Sequence, residues 1–400
     1  MDLSPQQQHA LDQAATWFET AVAEKNLIFR VFGYAGTGKT TIAKMFPDIV
    51  DGTVLFASYT GKAAHVLREK GCFGAMTLHS LIYKPKSKSA ENLRKLQAEY
   101  VTKADAGASE RVLQALRTKI QIEQDNVKRP AFAINPDSVL SSAKMLIVDE
   151  VSMVNEQMAE DLLSFGVPIL ALGDPAQLPP VKGGGYFTNE TPDVLLTEVH
   201  RQAQGSPILH LATEVREGRG LGNAKAGMVV PKGVLSIEDL AKYDQVLVGT
   251  NKSRRLVNTR MRAFMGHGDP LPVVNDRLIC TRNDSDTGLL NGSQWMVEHV
   301  IHDLDEPDRI HLNLRSTDGN EIVSCEAHAA PFRGEEVPYF EIREAQCFEY
   351  AYAMTVHKSQ GSQFDSVVLI DESHRFPSAS RRSWLYTGIT RAAHDLKIVR

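Results

Sequence analysis

The fold of this 400-residue chain is decided by the stretch Gly33-Tyr34-Ala35-Gly36-Thr37-Gly38-Lys39-Thr40. The apolar run Asn26–Phe32 before it predicts a buried strand, and Thr40–Met45 after it predicts the start of a helix. A glycine-rich turn in this setting points backbone N–H groups at phosphate oxygens, and the helix dipole adds to the attraction. Lys39 would reach the β- and γ-phosphates, and the Thr40 hydroxyl would bind Mg²⁺. The alternative is a tight turn without a ligand.

A second apolar run ends in two carboxylates, in the stretch Met145-Leu146-Ile147-Val148-Asp149-Glu150. Beside a phosphate-binding loop, Asp149 can hold the water shell of Mg²⁺. Glu150 can polarise the water that attacks the γ-phosphate. The alternative is an ordinary strand end that carries acidic residues. Together the two stretches predict Mg²⁺-dependent hydrolysis of a nucleoside triphosphate, without saying what that hydrolysis drives.

A third buried run, Pro168–Leu172, is followed by Gly173-Asp174-Pro175-Ala176-Gln177-Leu178-Pro179-Pro180. The neutral amide of Gln177 can hydrogen-bond to both a γ-phosphate and a water, so it can report the state of the nucleotide. The alternative is a proline-rich turn with no ligand.

Strand and helix patterns alternate around these three stretches. Ser4–Glu24 has the apolar spacing of an amphipathic helix, with Ser4 as N-cap and Pro5 at the first helical position. Thr53–Ala57 predicts a further strand and Lys62–Lys70 a further helix. This alternation predicts a parallel sheet that is covered by helices on both faces.

Two segments interrupt the alternation. Residues 84–143 are polar and basic, and they predict an insertion with one helix from Ala90 to Gln124. A second α/β domain is indicated by strand and helix patterns that resume at Gln245–Val248 and Ser253–Met265. Residues 271–345 contain short β-type runs separated by Gly, Pro, Asp and Asn, which predict a small β-rich insertion.

Composition excludes several classes of protein. With 42% hydrophobic and 23% charged residues, the chain is neither collagen-like, wholly disordered nor a coiled coil. No apolar run approaches the length of a membrane span, and no basic region followed by an apolar one marks a secretory signal. The four cysteines lie far apart without a CxxC pair, which argues against a disulfide framework and a cysteine zinc site. We therefore expect a cytoplasmic protein, in the host cytoplasm if a phage encodes it.

Charge is distributed unevenly along a chain whose net charge is −5. Residues 84–144 carry 12 Lys/Arg against seven Asp/Glu, and residues 251–282 carry seven against two. Residues 298–349 carry four against 13. Each run alone is typical of a solvated face, but the two basic runs together are compatible with a basic groove for nucleic acid.

The order of these stretches resembles superfamily 1 helicases. The C-terminal third adds Met354–Asp365 and Leu385–Ala392, which resemble the fifth and sixth motifs of that family. Leu196–Arg201 resembles the fourth motif, and Leu3–Gln7 resembles its adenine-reading Gln motif. The resemblance covers residues 3 to 399. It is strongest to the RecD-like branch, and within it to the phage Dda-type helicases.

The resemblance implies roles for residues of a nucleotide site. Gln7 would contact the adenine edge, while Arg201 and Arg391 would reach the γ-phosphate from the second α/β domain as arginine fingers; the alternative for each arginine is a surface ion pair. The predicted catalytic residues are Lys39, Glu150, Gln177, Arg201 and Arg391. The predicted ATP-binding residues are Gln7, Gly33, Ala35, Gly36, Thr37, Gly38, Lys39, Thr40, Thr41, Asp149, Glu150, Gln177, Arg201, Gly361 and Arg391, with Thr40 and Asp149 serving Mg²⁺.

The resemblance also implies a track for DNA. The predicted backbone contacts are Thr60, Lys62, Thr77, His79, Asn251, Lys252, Thr355 and His357. Hydroxyl, amide and cationic groups suit phosphates and carry no sequence information, as a motor that moves over any sequence requires. The alternatives are helix caps for the threonines and satisfied core positions for the histidines. Phe132 is the candidate wedge that separates strands, or else a hydrophobic anchor for the insertion.

The implied fold is α/β, with two RecA-like parallel-sheet motor domains. The first would comprise residues 1–83 and 144–200 and carry the 84–143 insertion. The second would comprise 201–270 and 346–400. Its insertion, residues 271–345, resembles a small SH3-like barrel. The acidic balance of 298–349 is unfavourable for a DNA clamp and suits a face toward solvent or a protein partner.

The implied function is an ATP-dependent DNA helicase that moves 5′→3′ on single-stranded DNA and unwinds duplexes. Two alternatives stay open: a superfamily 1 RNA helicase, and a RecD-like ATPase subunit of a larger recombination complex. Expected cofactors are ATP and Mg²⁺. Expected partners are single-stranded and fork DNA, together with single-strand-binding, replication or recombination proteins; no membrane is expected, and the chain is expected to act as a monomer.

Overall fold

The structure is a computed structural model that describes most of the chain. The described residues are 3–85, 89–105, 109–128, 132–179, 185–198, 205–284, 287–302, 306–317, 321–337, 341–342 and 344–400. For residues 84–85, 89–92, 105, 110, 121–128 and 132–133 it describes the backbone alone. Within these ranges, no helix has both the length and the apolar composition that crossing a bilayer requires.

Strands and helices alternate along most of the described chain. The strands are β1 (Ile28–Gly33), β2 (Val54–Ser58), β3 (Met76–Thr77), β4 (Tyr83–Pro85), β5 (Phe132–Ile134), β6 (Met145–Asp149), β7 (Ile169–Gly173), β8 (Val194–Leu196), β9 (Val229–Val230), β10 (Gln245–Val248), β11 (Arg277–Cys280), β12 (Gln294–His302), β13 (Arg309–Ser316), β14 (Ile322–His328), β15 (Phe348–Tyr350), β16 (Ala353–Thr355), β17 (Phe364–Ile370) and β18 (Ala392–Val399). The α-helices are α1 (Pro5–Thr20), α2 (Lys39–Ala43), α3 (Phe46–Ile49), α4 (Gly61–Glu69), α5 (Leu78–Ile82), α6 (Ser89–Asp105), α7 (Glu110–Lys128), α8 (Glu156–Leu163), α9 (Pro207–Arg216), α10 (Ile237–Leu240), α11 (Asn251–Phe264), α12 (Ala330–Arg333) and α13 (Ser378–Ile389).

The first sheet is wholly parallel, with six strands in the order β3-β2-β6-β7-β1-β8. Its central strands are short apolar runs because helices cover both faces, so every residue of β7 is buried. The second sheet, β16-β10-β17-β18-β9, is also parallel throughout. The predicted α/β class with two parallel sheets is confirmed.

The first helix follows the sequence prediction closely. The Ser4 side chain accepts a hydrogen bond from the Gln7 backbone N–H, and the Gln7 side chain accepts one from the Ser4 N–H, which together form a capping box. Pro5 occupies the first turn, where its missing N–H costs nothing. The buried positions of α1 include Ala10, Leu11, Ala14 and Trp17. This stripe packs the helix into the core beside the first sheet.

The insertion in the first α/β region differs from its prediction. Instead of one helix over Ala90–Gln124, two helices, α6 and α7, pack against each other above the antiparallel pair β4–β5. The sequence between the two helices contains Gly107, and glycine costs about 1 kcal/mol in a helix interior. The Ser109 carbonyl accepts hydrogen bonds from the N–H groups of Val112 and Leu113 at the start of α7. The single-helix prediction was therefore wrong, because a local break outweighed a continuous helical pattern.

The second α/β region carries a five-stranded antiparallel sheet, β14-β13-β12-β11-β15. A parallel bridge between Ala327 and Gln346 links the end of β14 to the segment before β15. This arrangement supports the predicted β-rich insertion, while the SH3-like class stays a prediction.

A buried ion pair anchors this insertion to α11. Asp276 is fully buried and accepts hydrogen bonds from Arg262 Nη2 at 3.0 Å and from the Tyr352 hydroxyl at 2.8 Å. Because a buried carboxylate depends on such donors, the network fixes the start of the insertion on the second α/β region.

Candidate functional site

The glycine-rich loop leaves β1 and enters α2 with the geometry of an anion-binding turn. Gly36 and Gly38 both have φ of 80°, a region that glycine adopts without steric cost. Gly38 is the N-cap of α2, so the first N–H groups of the helix face the loop. Lys39 Nζ donates hydrogen bonds to the carbonyl oxygens of Gly33 at 2.6 Å and Tyr34 at 3.3 Å. The loop thus gathers N–H donors and one ammonium group at a single point.

Gln7 lies directly behind this loop. Its side-chain Nε2 donates to the Thr37 carbonyl at 3.0 Å, and its Oε1 accepts from the Ser4 N–H at 2.9 Å. A Cβ at Gly38 would lie 2.2 Å from the same Nε2. Gln7 is buried and contacts the loop directly. Its predicted contact with an adenine edge stays a prediction.

The acidic pair stands at the carboxyl end of β6. Asp149 Oδ1 accepts a hydrogen bond from the Glu150 N–H at 2.8 Å. Glu150 has φ of 56°, one of three non-glycine residues with positive φ in the described chain. A non-glycine residue in the left-handed region costs about 1–3 kcal/mol, and such strain clusters at functional sites. Burial raises the pKa of the Glu150 carboxyl and Asp149 raises it further, whereas Arg391 and Lys39 lower it.

Two residues face the acidic pair from other elements. Gln177 follows β7 and is buried, and its Oε1 has no hydrogen-bond partner among the described residues. Arg391 lies between α13 and β18 in the second region. Among the described residues, its guanidinium donates to neutral oxygens alone, those of Thr387, Ser362 and Thr390. A buried cation or amide in that state has unmet capacity for an anionic ligand.

One cleft of about 610 Å³ unites these groups. Its lining residues come from both sheets and include Ala35, Gly36, Gly38, Lys39, Thr40, Thr41, Lys44, Lys70, Asp149, Glu150, Gln177, Gly361, Ser362, Gln363 and Arg391. Four cations and the loop N–H groups suit a triphosphate, and the acidic pair with the Thr40 hydroxyl suits a hydrated Mg²⁺ ion. The residues present therefore fit both groups.

Family comparison assigns most of the chain. Residues 2–233 match the family model described as "AAA domain", and residues 350–399 match "UvrD-like helicase C-terminal domain". The chain belongs to the AAA-domain family. An "ATP-dependent RecD2 DNA helicase" from Deinococcus radiodurans is 26% identical over 433 residues, which cover 98% of this chain and 48% of the relative. The phage T4 "ATP-dependent DNA helicase dda" is 29% identical over 214 residues, covering 50% of this chain and 40% of the relative. The resemblance to RecD-like superfamily 1 helicases is confirmed, although this AAA-domain chain spans about half the length or less of these two relatives.

Solved structures share the fold of this AAA-domain chain. Bacteroides Pif1 bound to ssDNA aligns with a TM-score of 0.58 at 17% identity, covering 99% of this chain and 92% of that one. Pif1 helicase from Candida albicans aligns with a TM-score of 0.54 at 18% identity, covering 100% and 94%. At these identities the likeness concerns the fold alone.

The predicted DNA contacts lie at the carboxyl ends of strands. Thr60 follows β2 and Thr77 ends β3 in the first sheet, whereas Asn251 follows β10 and Thr355 ends β16 in the second. Ligands of parallel sheets bind at this edge. The phosphate loop, the acidic pair and Gln177 follow strands β1, β6 and β7 of the first sheet. The ends of β2 and β3, where Thr60 and Thr77 lie, are therefore available to another ligand.

These side chains also make the contacts that the alternatives describe. Thr60 and Thr77 cap α4 and α5 by accepting hydrogen bonds from the N–H groups of Ala63 and Ser80. The ring of His79 packs between the rings of Tyr59 and Tyr83, and burial lowers its pKa. A hydroxyl that accepts a capping hydrogen bond can still donate its proton to a phosphate, as the Thr60 side chain could. The Thr77 hydroxyl instead donates to Ser80 Oγ at 2.9 Å, so it would have to release that contact to bind a phosphate.

The other predicted DNA contacts differ in exposure. Asn251 and Lys252 are exposed in the first turn of α11, while Lys62 is half-buried in the first turn of α4. His357 lies against the ring of Phe376, and burial lowers its pKa.

Two further predicted residues are not described at the level of their side chains. Arg201, predicted for the nucleotide site, lies outside the described residues, so its role stays a prediction. Phe132 begins β5, where only the backbone is described, and its role as a wedge also stays a prediction.

Sequence reasoning missed the contacts that join the two sheets. The Tyr386 hydroxyl donates to Asp174 Oδ2 at 2.7 Å and accepts from the Ala35 N–H at 2.9 Å. The Leu178 N–H donates to Thr387 Oγ1 at 3.0 Å. Leu178 packs within the hydrophobic core of the second region. The sequence signal for these contacts was that the residues on each side lie within the motif-like stretches. The motifs did not indicate which residue of one stretch contacts which residue of another.

Gly361 lies beside the cleft at a place where the second region approaches α4 closely. Its φ is 74°, and a Cβ there would lie 2.9 Å from Ala63 Cβ and 3.2 Å from Thr60 Oγ1. We expect Gly361→Ala to lower the free energy of unfolding by about 1–2 kcal/mol through its backbone conformation. We also expect it to weaken nucleotide binding, because the added methyl group displaces α4 from the cleft.

Gly334→Ala is the matched control. Gly334 has φ of 82°, but a Cβ there would meet no atom within 4 Å. Urea unfolding should show a loss for both variants that is larger for Gly361→Ala, because only its methyl group meets other atoms. Titration with a fluorescent nucleotide should show weaker binding for Gly361→Ala alone. Equal nucleotide affinity in the two variants would contradict the close-approach argument.

Proposed function

We propose that the chain is an ATP-dependent DNA helicase that moves along single-stranded DNA. The observation that carries the proposal is the single cleft in which the phosphate loop, the acidic pair and Gln177 of one sheet face Arg391 of the other. The names of the relatives, an ATP-dependent RecD2 DNA helicase and the ATP-dependent DNA helicase dda, support the same activity.

The residues of the cleft divide the chemistry of hydrolysis among them. The loop N–H groups and Lys39 bind the β- and γ-phosphates, and Gln177 hydrogen-bonds to the γ-phosphate and the attacking water. Glu150 accepts a proton from that water as it attacks. Thr40 and Asp149 would hold Mg²⁺, which neutralises charge that develops on the phosphate oxygens.

Arg391 links hydrolysis to movement. It stabilises negative charge on the γ-phosphate in the transition state, and it does so from the second region. A ligand that binds groups of both regions at once favours the closed arrangement, and its cleavage removes that preference. We propose motor domains at residues 1–83 with 144–200 and at 201–270 with 346–400, each carrying the insertion assigned to it above.

The DNA track, the wedge and the direction of movement complete the proposal. Thr60, Lys62, Thr77 and His79 would contact DNA phosphates from the first domain, and Asn251, Lys252, Thr355 and His357 from the second. Helix α4 carries Thr60 as its N-cap and also lines the nucleotide cleft, which supports a coupling of the two ligands. Phe132 would separate the strands, and the 5′→3′ direction follows from the RecD-like resemblance.

The decisive experiment is the steady-state ATPase rate with and without single-stranded DNA, beside a Lys39→Ala variant. We expect DNA to stimulate the rate by about tenfold or more, and added salt to weaken the stimulation because phosphate contacts release counterions. The Lys39→Ala variant should lose the activity, because it lacks the cation that binds the β- and γ-phosphates.

Three other results would point elsewhere. Equal stimulation by RNA would favour a superfamily 1 RNA helicase. Turnover that is indifferent to any nucleic acid would contradict the motor and favour an ATPase subunit of a larger complex. Unwinding of duplexes with a 3′ overhang alone would contradict the 5′→3′ direction.

A further inference from the structure

The tip of the phosphate loop is attached to the second region by one hydroxyl group. Tyr386 lies in α13, and its hydroxyl accepts the Ala35 N–H at 2.9 Å. The same hydroxyl donates to Asp174 Oδ2 at 2.7 Å. Tyr386 and Asp174 are 2% and 1% exposed, so the hydrogen bond between them is shielded from water. Because the Tyr386 hydroxyl donates one hydrogen bond and accepts another, its position is fixed by both partners.

The same helix holds the loop that carries Gln177. Thr387, the next residue of α13, accepts the Leu178 N–H at 3.0 Å. Gln360 donates to the Leu178 carbonyl at 2.9 Å, so both backbone polar groups of Leu178 are held. Asp174, at the start of this loop, is the residue that Tyr386 contacts.

The helix ends at the arginine of the cleft. Arg391 follows Tyr386 by five residues, and its Nε donates to the Thr387 carbonyl at 3.1 Å. Two neighbouring residues of α13 therefore connect the loop and the arginine: the Tyr386 hydroxyl contacts Ala35, and the Thr387 carbonyl contacts Arg391.

A second contact joins the tip of the phosphate loop to the second region. The Arg216 guanidinium, at the end of α9, stacks on the Tyr34 ring with its carbon 3.6 Å from the ring centroid. Tyr34 precedes Ala35, so two neighbouring residues of the phosphate loop are bound by two helices of the second region.

We propose that Tyr386 is a positioning residue for the hydrolysis reaction, which aligns Arg391 with the phosphate loop, and that Arg216 reinforces it through Tyr34. The proposal rests on the proposed function, because Arg391 matters only if the cleft hydrolyses a nucleoside triphosphate. Tyr386 itself touches no reacting atom; it acts through the loop and the arginine.

The test is a double-mutant cycle between Tyr386→Phe and Arg391→Ala, with DNA-stimulated ATP hydrolysis as the readout. Tyr386→Phe keeps the ring and removes both hydrogen bonds. We expect kcat to fall about tenfold with KM for ATP changed less than about threefold, as for a group whose effect is confined to the transition state. In the Arg391→Ala background, the same change should lower kcat by less than about twofold, because the group that it aligns is gone.

Tyr352→Phe is the matched control. Its hydroxyl also donates to a buried carboxylate, Asp276 Oδ1 at 2.8 Å, but at the base of the β-rich insertion. Both variants should melt at a lower temperature, and only Tyr386→Phe should change kcat at a temperature where both are folded. Arg216→Gln removes the stacking contact with Tyr34 at a partly exposed side chain, so we expect a smaller effect on stability than for a buried tyrosine. It should lower kcat by about two- to threefold.

The outcomes separate the two proposals. A wild-type chain without ATP turnover overturns the proposed function. Wild-type turnover with an unchanged kcat in Tyr386→Phe overturns the positioning role alone. So does a loss of the same size in the wild-type and Arg391→Ala backgrounds, which is the pattern of a purely structural contact.

Discussion

An Arg391→Ala variant is expected to hydrolyse ATP about 10³ times more slowly than the wild type, the lower end of the range for an inserted arginine. The guanidinium lies in the same cleft as the phosphate loop and the acidic pair, although it belongs to the other sheet. Charge accumulates on the γ-phosphate oxygens as the bond breaks, and a positioned cation acts on that charge more strongly than on the ground state. The loss should therefore fall on kcat.

The surroundings of Arg391 support this expectation. Its donors meet the Thr387 and Ser362 carbonyls and the Thr390 hydroxyl, and its charge lowers the pKa of the Glu150 carboxyl. Neutral oxygens hold the side chain in place without neutralising it, which leaves its charge available to a phosphate.

The measurement is kcat and KM for ATP at saturating single-stranded DNA, together with the affinity for a labelled nucleotide. Arg381→Ala is the matched control, because Arg381 lies on the same helix but is exposed. We expect nucleotide affinity to change by less than about tenfold in Arg391→Ala, since most of its effect is confined to the transition state. A kcat within tenfold of the wild type would contradict the role of Arg391 and leave Arg201 as the arginine to test.

The features that could be predicted from sequence are those with local causes. The phosphate loop follows from glycines at positions where φ is positive, next to a lysine and a threonine at fixed spacing. The start of α1 follows from Ser4, Pro5 and Gln7, which form its cap within a few residues. The central strands are short apolar runs because both faces of a parallel sheet are covered.

The features that could not be predicted depend on contacts across the chain. Tyr386 and Asp174 are 212 residues apart, and neither periodicity nor spacing pairs a tyrosine in one helix with an aspartate in a distant loop. Gln7 shows a second limit. Its position in a familiar motif predicted a contact with adenine, which stays a prediction. The motif did not indicate that both polar ends of the side chain bind backbone groups of Ser4 and Thr37.

The division of the insertion into two helices shows a third limit. Most residues of Ala90–Gln124 favour helix, so the pattern did not show that α6 would end at Asp105 and α7 begin at Glu110. Whether such a segment forms one helix or two depends on what its two halves can pack against. Here α6 and α7 pack against each other, and that contact compensates for the lost continuity.

A Glu150→Gln variant is expected to bind nucleotide and to hydrolyse it about 10²–10⁴ times more slowly, the usual contribution of a positioned general base. Glutamine keeps the size and the hydrogen-bonding reach of the side chain but cannot accept the proton of the attacking water. Glu156→Gln is the matched control, because Glu156 is an exposed glutamate in the first turn of α8. A kcat within tenfold of the wild type would show that another group takes this proton.

The raised pKa of Glu150 gives this prediction a pH dependence. Burial moves the pKa upward from the ordinary value of 4.5, so the carboxyl takes up a proton at a higher pH than a free glutamate. Only the ionised form can act as a base, so kcat should fall as the pH drops through the raised pKa. The acidic limb of the wild-type profile should therefore lie above pH 4.5. In Arg391→Ala the limb should move to still higher pH, because the cation that lowers this pKa has been removed.

Stability should show the opposite dependence on pH. A carboxyl group whose pKa is raised by folding stabilises the folded state below its unfolded pKa, and this contribution is lost as the pH rises through the folded pKa. Above its raised pKa the wild type holds an ionised carboxylate in a site that disfavours it, and there Glu150→Gln should have the higher free energy of unfolding. The difference should shrink as the pH is lowered toward 4.5. Urea unfolding across this range measures it, and a variant that is less stable than the wild type at neutral pH would show that Arg391 and Lys39 outweigh the cost of burying the charge.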